Sequence, residues 1–265
     1  MAPRDLVRQI AVISAFCFMI VAAMVGTGLC GGTPVDDLQD GALDADGSYL
    51  APASPAFSIW TVIYVGLLAY TVWQALPRQR DADRQRSLGW LIAATMVLNG
   101  LWLVTAQFLT LGLTVVAIVL LLAVLAVTFR QAVVLPGRGV IGALLIDGVT
   151  GLHLGWVALA TVANLAAWLT RTVPESWGSA ATGWGIAVLI VVGLLGLGIA
   201  LAGSWHIAPA LAIGWGLSWI AVGRLAGEPR DGGIGITAVI VAAVLVLVTI
   251  VGRALRHIGE FRNAE

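Results

Sequence analysis

Lysine is absent from this 265-residue chain: apart from three histidines, all 14 basic residues are arginines, balanced by 14 acids to a net charge of zero. Without a basic excess there is no electrostatic footprint for nucleic acid. Charge of either sign is scarce, at 11% of residues against roughly 25% in an average soluble domain. Small soluble proteins must cover their surface with polar side chains, so a composition of 60% hydrophobic residues with a mean hydropathy of +0.98 excludes an ordinary soluble enzyme. Lipid is the solvent for most of this chain. Cysteine occurs only at 17 and 30. On what reads as one helix these would stand roughly 20 Å apart, and a disulfide needs Cα atoms within about 7 Å. Soluble chemistry is missing too, with no phosphate-cradling glycine loop, Cys-x-x-Cys pair or Gly-x-Ser-x-Gly elbow. No span carries the regularly spaced arginines of a voltage sensor.

What the chain has is apolar runs. A spanning helix takes about 20 mostly apolar residues, and eight such runs are present. The first covers about Leu6 to Leu29 and the second Pro55 to Leu76. Leu88 to Phe129 is twice the needed length and breaks at Thr110-Leu111-Gly112 into spans three and four. Gly139 to Ile146 reads as a lead-in at the interface, Asp147 as its marker, and Gly148 to Leu169 as span five. Trp184 to Ala202 makes span six. Pro209 falls in the first turn of span seven, where its missing N–H costs little, and Ile234 to Leu255 makes span eight. The expected fold is an all-α polytopic helical bundle with about eight transmembrane helices.

Eight spans put both termini on one side. That side collects Arg4, Arg8, Arg78, Arg80, Arg84, Arg86, Arg130, Arg138, Arg253, Arg256 and Arg262, leaving Arg171, Arg224 and Arg230 on the other. Positive residues concentrate in cytoplasmic loops, so both ends are expected in the cytoplasm of a cell with this protein in its inner membrane. The alternative reading of the first run, a cleaved signal, would leave seven spans and an outward N-terminus. The loop from Gly31 to Ser54 is the only one long enough to do more than connect, and it reads either as a mobile flap or as a solvated spacer.

Tryptophan is abundant, with 11 residues. Trp73, Trp90, Trp168, Trp177, Trp184 and Trp205 lie near span ends, where indoles anchor helices at headgroup level. Trp60, Trp102, Trp156, Trp215 and Trp219 fall further inside, where an indole N–H must find an acceptor or face a cavity. Phe57, Trp60 and Tyr64 recur at i, i+3 and i+7 and form one aromatic stripe. Asn99 and Trp102 share a face of span three. His153, Trp156, Ala160 and Asn164 share a face of span five, with Gly151 and Gly155 offering close approach to a neighbour. A carboxamide in hydrocarbon is unfavourable unless bonded, so Asn99 and Asn164 are expected to point inward, toward each other or a ligand. Read structurally, the same asparagines are packing glue between helices and His153 a satisfied interior histidine. His153 has no second ligand at metal spacing. His206 and His257 lie in a short connection and in the basic tail.

Three stretches carry a resemblance: Pro52-Ala-Ser-Pro55-Ala-Phe57-Ser-Ile-Trp60-Thr-Val-Ile-Tyr64, Leu98-Asn99-Gly-Leu-Trp102, and Trp156-Val-Ala-Leu-Ala160-Thr-Val-Ala-Asn164. In this order they resemble the signatures of the tryptophan-rich sensory protein family, TspO/MBR, related to the translocator protein. The resemblance covers about residues 1–170, the length of that family's five-helix bundle. Residues 171–265 look like the three-helix extension of a longer branch, ending in a basic cytoplasmic tail. The resemblance implies a ligand site at Trp60, Asn99, Trp102 and Trp156, and the helix faces they share extend the expected site to Phe57, Tyr64, His153, Ala160 and Asn164. It implies a hydrophobic, planar or rigid ligand, porphyrin-like or sterol-like, with bound porphyrin or haem the only cofactor it suggests. The expected role is sensor or carrier, not enzyme; porphyrin degradation rests on family analogy alone. A secondary transporter is the rival reading. Expected partners are membrane lipid, the small-molecule ligand and a second copy of the chain.

Overall fold

The computed structural model describes residues 3–137 and 139–262. In hydrocarbon every backbone N–H and C=O must be satisfied within the segment, and the apolar runs accordingly fold as helices. They are α1 (Pro3–Gly26), α2 (Ile59–Ala75), α3 (Asp83–Phe108), α4 (Leu111–Val134), α5 (Val140–Thr172), α6 (Ala181–Ala202), α7 (Ile207–Ala226) and α8 (Gly232–Arg262). Each, α2 together with the 3-10 turn at Ser54–Ser58 that leads into it, is long and apolar enough to cross a membrane. Large aliphatic side chains such as Val62, Val65, Leu68 and Val72 on α2, or Val239, Ile240 and Leu247 on α8, face outward. That is the arrangement of a multi-pass membrane protein whose solvent is acyl chain.

The helices form one bundle. Helix α3 packs between α1 and α4, α5 between α4 and α7, and α8 between α6 and α7, while α2 leans on α1 and α5. One apolar core gathers Met19, Ile63, Leu67, Ile92, Met96 and Trp156 and draws in Ala212 of α7. A second, around Leu189, Ile213, Leu217 and Leu245, includes Leu50 and Leu159. A third joins Ile118 and Leu125 to Leu154. Apolar packing therefore crosses position 170. At the α5–α7 crossing, a Cβ on Gly155 would collide with the Pro209 carbonyl oxygen and stand 2.9 Å from Ala212 Cβ, so only glycine permits this approach.

The end of the bundle rich in arginine is tied by polar side chains. Arg84 at the start of α3 donates to Leu135 O (2.7 Å), Ala132 O (3.2 Å) and Gly142 O (3.2 Å) and forms an ion pair with Asp147. Arg86 makes a two-pronged pair with Asp5 at 2.9 and 2.7 Å. Buried Arg8 reaches Arg80 O at 2.9 Å, and Gln9 donates to Gln74 O at 2.7 Å.

Three expectations change. The segment from 139 to 146 is no separate lead-in: α5 runs unbroken from Val140 to Thr172, with a π-helical turn at Ala143–Gly148. Asp147, expected to mark the interface, lies at the arginine-rich end but is buried between helices, where the Arg84 guanidinium takes the place of water on its carboxylate. Cys30 does not share a helix with Cys17, since α1 ends at Gly26 and Gly28 turns the chain with φ +78°. Both thiols are free and exposed. The expected break at 110 agrees with the ends of α3 at Phe108 and α4 at Leu111. Arg138 lies outside the described residues.

Candidate ligand-binding cavity

The end of the bundle opposite the arginine cluster holds a cavity of about 80 Å³ between α2, α3, α4 and α5. A short 3-10 turn, Ser54–Ser58, leads into α2 with Pro55 in its first turn, where a missing N–H is harmless. This turn presents Phe57, and α2 presents Trp60 one turn later. Asn99 and Trp102 come from one face of α3, Ile118 and Leu121 from α4, and Trp156, Ala160 and Asn164 from one face of α5. Small side chains at Ala160, Ala163 and Ala167 leave the space that larger ones would fill.

The aromatic wall is interlocked. Trp156, 1% exposed, meets Trp60 edge to face at 6.1 Å between centroids and Phe57 at 5.8 Å. Trp60 also leans on Tyr64 at 5.2 Å and on His153 at 5.8 Å. Such pairs add about 0.5–1.5 kcal/mol each beyond area burial.

Polar atoms are what distinguish this cavity from a packing defect. Among the described residues, the indole nitrogens of Trp102 and Trp156 are buried without a hydrogen-bond partner, as is one carboxamide atom of Asn164. All three side chains line the same cavity. An indole N–H can only donate. The Thr114 hydroxyl, with one proton, lies 2.7 Å from Leu111 O and 3.1 Å from the Asn164 carboxamide, so it satisfies one edge of that amide and leaves the other open. Leaving a buried donor unpaired costs about 1–3 kcal/mol.

The loop between α1 and α2 closes the cavity through Val35, Ala42, Leu43, Asp44, Ala51 and Pro52. It is neither a free flap nor a solvated spacer. Gln39 donates to Leu109 O at 2.9 Å and Arg171 to Asp40 O at 2.6 Å. From α7, fully buried Arg224 donates to Ser48 O at 2.9 Å and to Ala45 O at 3.0 Å. The Ala53 amide donates to Trp219 O at 3.2 Å, and Trp215 Nε1 donates to Ala56 O at 2.9 Å.

Of the residues expected at the site, Phe57, Trp60, Asn99, Trp102, Trp156, Ala160 and Asn164 come together on the cavity wall. Tyr64 and His153 stand behind it: Tyr64 against Trp60, and His153 with its Nε2 3.4 Å from Asn99 Nδ2. The two asparagines do not bond each other, because His153 occupies one and Thr114 the other. Trp215 and Trp219 do not line the cavity; they hold the loop that covers it. The apolar wall from α4 and the docking of the loop over the cavity were not expected, since Ile118 and Leu121 look like every other aliphatic residue of α4 and the loop has no periodicity. Arg224 did carry a signal, as a lone arginine at the end of an apolar span on the side poor in positive charge. Among the described residues no cluster of three His, Cys, Asp or Glu could hold a metal ion.

Comparison with family models matches residues 8–251 to the family described as TSPO-like protein. Neither the curated proteins nor the solved structures compared with the chain give a match. The matched stretch begins inside α1 and ends inside α8, so it takes in the loop clamp from α7 as well as the cavity. With eight helices fit to span a membrane among its described residues, the chain is therefore a member of the TSPO-like protein family.

Proposed function

We propose that the protein binds a rigid or planar hydrophobic molecule bearing hydrogen-bond acceptors in this cavity, and acts as its sensor or carrier. The observation that carries this reading is the convergence of two unpaired indole donors and an open carboxamide edge on one aromatic-walled cavity. A ligand carbonyl or carboxylate among them would relieve the buried donors, while its flat apolar body would lie on the face of one of the two perpendicular indoles, Trp60 or Trp156, and against the edge of the other. A free-base porphyrin carboxylate has this chemistry. Haem fits less well, because no histidine lines the cavity and His153 is taken up by Asn99 and Trp60. At about 80 Å³ the cavity is below the roughly 300–1,000 Å³ of drug-sized ligand sites, so a molecule of that size needs the wall to open, and the loop from Thr33 to Ala53 is the part of the wall that is not a spanning helix. By the arginine distribution we place both termini in the cytoplasm and the cavity near the outer face.

Titrating the detergent-purified protein with a porphyrin dicarboxylate is expected to quench tryptophan emission saturably. Trp156→Phe and Trp102→Phe, which keep an aromatic ring but lose the N–H, should each weaken binding by about fivefold. Absence of saturable quenching with any planar amphiphile would remove the reading. Uptake into proteoliposomes that depends on an ion gradient would replace it with transport.

A further inference from the structure

At the arginine-rich end, away from the cavity, a groove of about 520 Å³ opens between the end of α4, the α6–α7 link and the last turns of α8. It is lined by apolar Val133, Pro136 and Ile250 and by basic His206, Arg253 and Arg256. Arg253 has no protein partner among the described residues. Arg256 pairs with Glu260 at 2.9 Å, the one carboxylate lining the groove, and His257 lies 3.9 Å from the same carboxylate. Arg130 flanks the site from α4, its guanidinium 3.5 Å from Ala202 O.

Two features set the groove's depth and shape. Helix α8 begins at Gly232, and at about 1.5 Å per residue Arg253 lies roughly 32 Å further along. That matches a hydrocarbon core of about 30 Å, so the guanidinium falls at headgroup level and Ile250, one turn earlier, falls among acyl chains. The link is also held close. Ser204 and Trp205 both adopt positive φ, 55° and 62°, and the Trp205 ring presses on Gly252, leaving no room for a Cβ there. Along α8 the groove thus passes from apolar Ile250 to cationic Arg253 and Arg256, while Val133 and Pro136, at and beyond the end of α4, stand at the level of the arginines. Basic pockets between helices at this level suit phosphate-bearing headgroups.

We propose that this groove is a binding site for a phosphate anion carried by an acidic phospholipid, with Arg253 and Arg256 on the phosphate, the glycerol end against Val133 and Pro136, and an acyl chain along Ile250. The test is native mass spectrometry of the full-length protein released from detergent after equilibration with phosphatidylglycerol or phosphatidylcholine. Phosphatidylglycerol should be retained in preference. The doubly substituted R253Q/R256Q protein should lose affinity for it about 30-fold, while R253K/R256K retains it. Both arginines are exposed, so the thermal midpoint should stay unchanged, which separates loss of binding from loss of fold. Displacement of the lipid by millimolar inorganic phosphate would keep the anion site and assign it to free phosphate. Equal retention of the two lipids, or phosphatidylglycerol retention unchanged in R253Q/R256Q, overturns the proposal.

Discussion

Single side chains at the helix ends decide how this bundle is stapled. Asp147 and Arg84 form a pair with side chains only 12% and 15% exposed. Removing one partner of a nearly buried pair leaves an uncompensated charge, whereas removing both can be neutral. Asp147→Asn should therefore lower stability by about 2 kcal/mol, read as a drop in the thermal midpoint in detergent, and D147L/R84M should recover part of it. An unchanged midpoint in Asp147→Asn would mean that the carbonyls around Arg84 suffice. Outside the spans, Asp231 caps α8: its Oδ1 accepts from the Ile234 amide at 2.9 Å and its Oδ2 from the Thr182 hydroxyl at 2.5 Å. Partial burial pushes its carboxyl up, but the bonds from Thr182, Ile234 and Gly233 outweigh that and hold it below the usual carboxylate value of 3.8. A depressed carboxylate contributes stability above its ordinary pKa and loses it as pH falls. Stability should thus decline below about pH 4, and comparing acid unfolding of wild type and Asp231→Asn should show the dependence reduced.

Helices α5 and α7 are the most enclosed pair in the molecule, and glycine is the reason they approach so closely. Gly155→Val would drive a side chain into the Pro209 carbonyl, a backbone atom that cannot step aside. The cost should be about 1–3 kcal/mol, read as a lower thermal midpoint. At Gly198 a Cβ meets nothing within 4 Å, so Gly198→Ala should be neutral and serves as control. The existence and order of the helices were legible because each needs a long apolar run, and the α3–α4 break because a chain must turn somewhere in a stretch of double length. The faces bearing Trp60, Asn99, Trp102 and Trp156 were legible from helical spacing. Other features were not. The π turn at Ala143–Gly148 leaves no mark in an apolar pattern, and the burial of Asp147 depends on a partner 63 positions earlier that its own surroundings in the sequence do not reveal. Ile118 and Leu121 resemble every other aliphatic residue of α4, and the loop's docking depends on carbonyl groups that sequence does not distinguish.

At the scale of the whole molecule, topology and loop closure can be tested together. Cys30 is exposed beyond α1 at the loop end, while Cys17 is exposed on the flank of α1 amid the apolar span. A membrane-impermeant maleimide should label Cys30 only from the face opposite the termini and should leave Cys17 unreacted; labelling of Cys30 from the cytoplasmic side would invert the orientation. Arg224→Met should release Ser48 and Ala45 and raise proteolysis within residues 40–50, with faster ligand release. If the loop instead stays equally protected, its hold lies in Gln39 and Arg171. The clamp from α7 also bears on why such a chain carries eight helices. A fragment stopped after Thr172 would keep every aromatic of the wall yet lose Arg224, Trp215 and Trp219 together. Its roof would hang by Gln39 and Arg171, and the glycine seam of α5 would stand bare to acyl chains. The last three helices thus work as a doorframe for the first five.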